Sequence, residues 1–159
     1  MMEREPFRCP ALSLACLFSL CSCTPVHAFT GGSHVLVGAA LGPTTGSIVM
    51  SFVVGVASHT LLDAMPHWEY GPLAQAVLLF GAGAVVGYEF GRTGDLRLIA
   101  GAVGGVLPDL PHLLRGLGWK VKSRFPSHTG ALPHGRAKNL WQGIWFEVGL
   151  VAALVSLAS

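Results

Sequence analysis

Residues 44–66 read TTGSIVMSFVVGVASHTLLDAMP, and the reading of this run decides the fold. Pro43 precedes it, Thr44 and Thr45 can cap a helix, and no charge interrupts it before Asp63. Met65-Pro66 ends it, because proline disfavours helix in the residue before it and donates no backbone hydrogen bond. A helix from Thr45 to Leu62, rising ~1.5 Å per residue, spans roughly 27 Å, close to the hydrocarbon thickness of a bilayer. A membrane helix is predicted, with the polar stretch Ser58 to His67 at its end.

Outward from this run the pattern repeats. A short apolar stretch, His34 to Leu41, stops at Gly42-Pro43. Pro72 suits a first helical position, and Leu73 to Phe90 makes a second span. Its Gly81, Gly83 and Gly87, with Ala82 and Ala84 between, suit close helix–helix approach. Gly91 to Asp95 is a turn. A third span runs from Leu96 to Leu107, breaks at Pro108 and Pro111, and continues to Leu117. Residues 118–139 form a polar, basic loop. Asn139 can cap the last span, Leu140 to Leu157, with Trp141 and Trp145 at interfacial depth.

Composition points the same way. The chain is 52% hydrophobic, carries 21 Gly and is only 11% charged; its mean hydropathy is +0.58. The prediction is an all-α fold, a polytopic helical membrane bundle of about four membrane helices, forming one domain over residues 29–159. A multi-pass protein of the cell inner (plasma) membrane follows, with the lipid bilayer as its first partner. The net charge of +2 and the lack of a long basic run argue against nucleic acid.

Residues 1–28 are set apart as a signal peptide, an anchor or an over-extended start. Arg4 and Arg8 precede an apolar run, Val26-His27-Ala28 offers a small-residue cleavage site, and Leu20-Cys21-Ser22-Cys23 loosely resembles a lipoprotein processing site. All four cysteines lie at or before Cys23, so no thiolate site is available in the domain. The basic residues between Arg115 and Lys138 put the histidine-bearing face on the cytoplasmic side by the positive-inside rule. A signal cleaved after Ala28 agrees with this only if residues 33–42 do not cross.

The chemistry lies in histidines and aspartates. His59 and Asp63 are four apart, hence on one helix face; Asp109 and His112 are three apart in Leu107-Pro108-Asp109-Leu110-Pro111-His112. If the spans cross, the ends of the first and third meet on one face, with His67 beside them and His128 and His134 in the loop above. Singly, each residue can serve as a helix cap or turn group. Together, His34, His59, Asp63, Asp109, His112 and His128 suggest a shared divalent metal, zinc by the imidazole and carboxylate donor set. Glu147, inside the last span, is a candidate ligand or general base because carboxylates at membrane depth are costly.

His34, the Leu-Pro-Asp-x-x-His stretch at 107–112 and His128-Thr129 resemble the membrane-bound metal-dependent hydrolases, small inner-membrane proteins akin to the zinc-dependent phospholipase C superfamily. His-x-x-x-Asp pairs of that superfamily match His59 and Asp63. The resemblance covers roughly residues 30–158. Pro111 stands where the family often has a second Asp, and Phe125 to Gly130 keeps one His of a two-His motif. Fewer ligands than a full two- or three-metal site are therefore expected. The resemblance implies hydrolysis of a phosphoester or similar bond, with Asp63, Asp109 or Glu147 as general base. The basic loop would favour an anionic small-molecule or lipid substrate. The alternatives are a non-catalytic membrane protein with a structural metal or a proton- or ion-handling His/Asp cluster, and a purely structural module. No nucleotide-binding or nucleophile-elbow motif supports another enzyme class.

Overall fold

The computed structural model describes residues 31–149 except 66, 69, 117, 133–134, 136–137 and 146. The expectations for residues 1–28, for His134 and for the end of the last span fall outside the described residues. Among the described residues, α-helices run in the order α1 (Gly31–Leu41), α2 (Ile48–Ala64), α3 (Pro72–Thr93), α4 (Leu96–Val106) and α5 (Leu110–Gly116). Short 3-10 turns cover Gly42–Thr44, Leu107–Asp109 and Pro126–Thr129. Residues 140–145 and 147–149 are again helical. No strand occurs among the described residues, so the all-α prediction stands.

Local chemistry sets the boundaries. α2 begins three residues later than expected, with Ser47 as its cap, accepting from the Met50 amide at 3.1 Å. The threonines are used in the preceding turn instead: Thr45 Oγ1 donates to the Gly42 carbonyl at 2.9 Å. α3 extends to Thr93 and stops at Gly94, whose φ of +66° lets its amide reach back to the Phe90 carbonyl. α4 is capped by Asp95, and the Arg97 guanidinium beside that carboxyl holds it below the usual range. Arg97 also reaches the Thr45 carbonyl at 2.9 Å, tying the start of α4 to the turn before α2. Pro108 breaks the third span where expected, leaving Asp109 on a 3-10 turn. Asn139 accepts from the Gln142 amide at 2.9 Å and so caps the final helical residues.

α4 lies against both α1 and α2, and glycine makes the approach close enough. A Cβ at Gly38 would collide with the Gly101 carbonyl, one at Gly105 with the His34 carbonyl, and one at Gly55 with Gly101. These backbone contacts hold His34, His59 and Asp109 in one layer. The close approach predicted at Gly81, Gly83 and Gly87 is absent among the described residues: nothing lies within 4 Å of a Cβ at any of the three. α3 packs instead through Ala82 and Val86 onto Val35, Ala39 and Ala102. The reason is helical phase, since the three glycines lie off the Ala82–Val86 side.

Among the described residues, only Leu73–Thr93 is long and apolar enough to cross a membrane; Ile48–Ala64 is apolar but shorter. The expected third span is split, with 11 residues in α4 before the proline break. Much of α2 and α3 is apolar and exposed, including Val49, Leu61, Leu73, Val77, Phe80 and Tyr88.

Candidate metal centre

α1, α2, the Leu107–Asp109 turn and the Pro126–Thr129 turn each deliver a group to one buried cluster. His34 comes from α1, His59 and Asp63 from adjacent turns of α2, Asp109 from the proline break and His128 from the loop. His34, His59 and Asp63 are 0% exposed and Asp109 8%. Leaving such groups inside an apolar bundle costs free energy unless each charge is matched.

The donor atoms converge. His59 Nε2 lies 3.2 Å from Asp63 Oδ2, 3.8 Å from Asp109 Oδ1 and 3.5 Å from His128 Nε2. His128 Nε2 is 3.3 Å from each of the same two oxygens. His34 Nε2 meets the other pair, Asp63 Oδ1 at 3.5 Å and Asp109 Oδ2 at 4.0 Å. Two ligands of a tetrahedral zinc, each ~2.0–2.1 Å from the ion, stand about 3.3–3.4 Å apart. The measured separations bracket that value. Two groups, His34/His59/Asp63 and His59/Asp109/His128, each keep their ligand atoms within 4.8 Å and could hold a metal ion.

Hydrogen bonds behind the ligands fix their orientation. His59 Nδ1 is 2.8 Å from the Gly105 carbonyl, which can only accept. Nδ1 therefore carries a proton, and Nε2 is the nitrogen turned to the cluster. His128 Nδ1 sits 3.2 Å from Ser123 Oγ, and Ser127 Oγ donates to Asp63 Oδ2. Asp63 Oδ1 and both oxygens of Asp109 are buried and accept no hydrogen bond among the described residues. The Asp109 side chain keeps a little exposure, 11%, where the Asp63 side chain has none.

Five of the expected ligands thus meet: His34, His59, Asp63, Asp109 and His128. His112 stands one layer out. Its ring packs edge-on against His128 with centroids 4.3 Å apart, and Arg115 Nη2 approaches its Nδ1 at 2.8 Å. Pro111 and the register of α5 turn it past the ligand layer. Glu147 also lies outside both groups, bonded to Ser33 beside His34 in sequence. His67, whose direction the proline before it left open, is 1% exposed, its Nδ1 on the Met65 carbonyl at 2.8 Å. Sequence reasoning missed Ser123, Ser127 and the Gly105 carbonyl. Ser127 had a signal in its place beside His128; the Gly105 carbonyl had none, because a backbone acceptor leaves no mark in residue type.

A surface hollow of about 510 Å³, lined by Ser47, Ile48, Asp95 and Arg97, lies at the opposite end of α2 and holds none of these residues. The chain matches no family model, no curated protein and no solved structure.

Proposed function

We propose that this chain is a multi-pass protein of the cell inner (plasma) membrane whose His/Asp centre binds a divalent cation, zinc by donor set, and hydrolyses a phosphoester or similar bond. The observation that carries the metal is the convergence of three imidazoles on two buried carboxylates that retain unused acceptor atoms. The membrane reading is supported by the exposed apolar flanks of α2 and α3, such as Phe80 and Leu73 at 77% exposure, which water would not tolerate as a continuous surface. The resemblance to membrane-bound metal-dependent hydrolases supplies the reaction class.

A zinc-class ion supplies Lewis acidity and a bound water with a pKa near ~7. His59 and His128 would hold it, their tautomers set by the Gly105 carbonyl and Ser123. Ser127 orients Asp63. Asp109, at the more open edge, is placed to accept a proton as general base. Arg115 and the loop residues Lys120, Lys122 and Arg124 bring positive charge to the approach of an anionic small molecule or lipid head group.

The complete burial of His34, His59 and Asp63 favours a second reading, a structural metal with closed coordination. The cobalt-substituted protein separates the two: an exchangeable fifth ligand, seen as an azide-dependent visible spectrum, supports hydrolysis, and an azide-silent tetrahedral spectrum supports the structural role. The first experiment is elemental mass spectrometry of detergent-purified protein beside Asp63→Ala. Stoichiometric zinc lost in a folded variant is expected; a metal-free wild type that cannot be reconstituted would sink the reading. For the membrane, Phe80→Lys should impair insertion of Leu73–Thr93 in a glycosylation-mapping assay, since a centrally placed Lys costs ~2.5–3.5 kcal/mol.

A further inference from the structure

We propose that the outer face of residues 119–125 is a docking surface for the anionic phospholipid head groups of the bilayer; this goes beyond the hydrolytic reading and rests only on the membrane placement above. Residues 119–125 form neither helix nor strand, and burial alternates along them. Lys120, Lys122 and Arg124 are exposed, whereas Val121, Ser123 and Phe125 are half-buried. That is the period of an extended chain, whose successive side chains point to opposite sides. The inner side is committed to the centre. Ser123 Oγ lies 3.2 Å from His128 Nδ1, and the Phe125 ring meets His59 edge-on with centroids 5.2 Å apart. The outer side gathers three cations, spaced ~6–7 Å apart along an extended backbone.

The chain supplies no carboxylate to neutralise them. Residues 110–146 contain six Lys and Arg and no Asp or Glu. The ion pairs that Lys and Arg make among the described residues lie at the other end of the bundle, Arg92 with Glu89 at 3.1 Å and Arg97 with Asp95 at 2.8 Å. Arg97 sits at the start of α4, whereas residues 119–125 meet the centre beyond its far end. One end of the bundle thus balances its cations internally, and the other presents them to an external anion.

Depth identifies that anion. The segment packs on His59, and Leu61, two residues further along α2, is exposed, so the apolar flank that begins at Val49 and Val53 reaches this level. Trp119, at the head of the segment, is exposed, as are Trp141 and Trp145 in the final helical residues, where Gly143 abuts Trp68 just past the end of α2. Tryptophan favours the boundary between hydrocarbon and water. Apolar flank, tryptophan and unneutralised cations therefore follow one another as hydrocarbon, interface and charged head groups do. A free anionic small molecule would account for the cations alone and leave Leu61 and the tryptophans unexplained.

The test counts lipids. Full-length protein in maltoside micelles is equilibrated with equal amounts of phosphatidylglycerol and phosphatidylcholine of the same acyl chains, separated from free micelles, and its retained lipids are quantified by mass spectrometry. Each basic residue near an anionic surface contributes roughly fivefold in binding. Phosphatidylglycerol should therefore be enriched several-fold in the wild type, less so at high salt. The enrichment should vanish in Lys120→Gln/Lys122→Gln/Arg124→Gln and persist in Lys120→Arg/Lys122→Arg, each with unchanged helical circular dichroism. The two lipids retained in their bulk ratio by the wild type, or enrichment that survives in the glutamine variant, overturns the docking surface and leaves the membrane placement intact. Displacement of phosphatidylglycerol by inorganic phosphate overturns it as well, reducing the face to a site for a free anion. Protein that retains neither lipid and stays in solution once detergent is removed overturns the membrane placement with it.

Discussion

Gly105 links the packing of the bundle to the geometry of the site, and replacing it with alanine tests both. A Cβ there would strike the backbone carbonyl of His34, a group that cannot swing aside as a side chain would. Gly83 on α3 is the matched control, because nothing lies within 4 Å of its would-be Cβ. Both are helical, so alanine brings each about 0.8–1 kcal/mol of helix propensity. Gly83→Ala should therefore stabilise by about 1 kcal/mol. At Gly105 the overpacking cost of about 1–3 kcal/mol opposes that gain. The propensity terms cancel in the comparison, leaving Gly105→Ala about 1–3 kcal/mol less stable than Gly83→Ala. The assay is reversible unfolding in mixed micelles, followed by circular dichroism. Moving α1 off α4 also moves His34 from the aspartates it approaches at 3.5 and 4.0 Å, so zinc binding should weaken in Gly105→Ala and not in Gly83→Ala. Equal stability and equal zinc binding in the two variants would refute the proposed contact and its role in placing His34.

Ser127→Ala removes the hydroxyl that donates to Asp63, and loss of such a supporting bond should weaken zinc affinity about 10–100-fold while the helices remain, measured by competition with a chelating dye. Zinc binding should also be lost on acidification. Metal ligands must be deprotonated, so at low pH protons compete with the cation for the imidazoles and carboxylates, whereas near neutral pH the donors are free to bind. Titration of apparent affinity between pH 5 and 8 checks the sign, and tighter binding at pH 5 than at pH 7 would contradict it.

The sequence carried the site better than it carried the bundle. His59 and Asp63 were legible because a four-residue spacing on a helix fixes a shared face, and α2 is a helix there. Asp109 was legible because Pro108 has to break the span beside it, and a carboxylate inside an apolar segment needs a partner. His34 and His128 join them only through long-range packing, which residue patterning suggests but does not specify. His112 shows the limit: a three-residue spacing from Asp109 places it on the next turn, but the switch from 3-10 turn to α5 rotates it onto His128. The glycines fail for a related reason. Gly81, Gly83 and Gly87 form the richer local pattern, yet close approach falls to Gly38, Gly55, Gly101 and Gly105, which are scattered over three helices and recognisable only once those helices meet.

Charge decides what the centre can accept. Two aspartates bring two negative charges, and neutral imidazoles, the form that ligates a metal, bring none. A single divalent cation closes that balance and leaves a neutral, buried group, which suits a structural metal. An open position on that ion admits an anion in place of water, which suits hydrolysis. Inorganic phosphate, with ~1.5–2 negative charges near neutral pH, is the simplest probe of that difference. It should bind the zinc-loaded wild type and raise its melting temperature, by an amount corresponding to ~2.7 kcal/mol at a hundredfold excess over the dissociation constant. In Asp63→Ala, which is expected to lose the metal, the shift should vanish. An equal shift in both proteins would place the phosphate on the exposed cations around Arg115 and Lys120 rather than at the metal. No shift in either would favour the closed, structural centre.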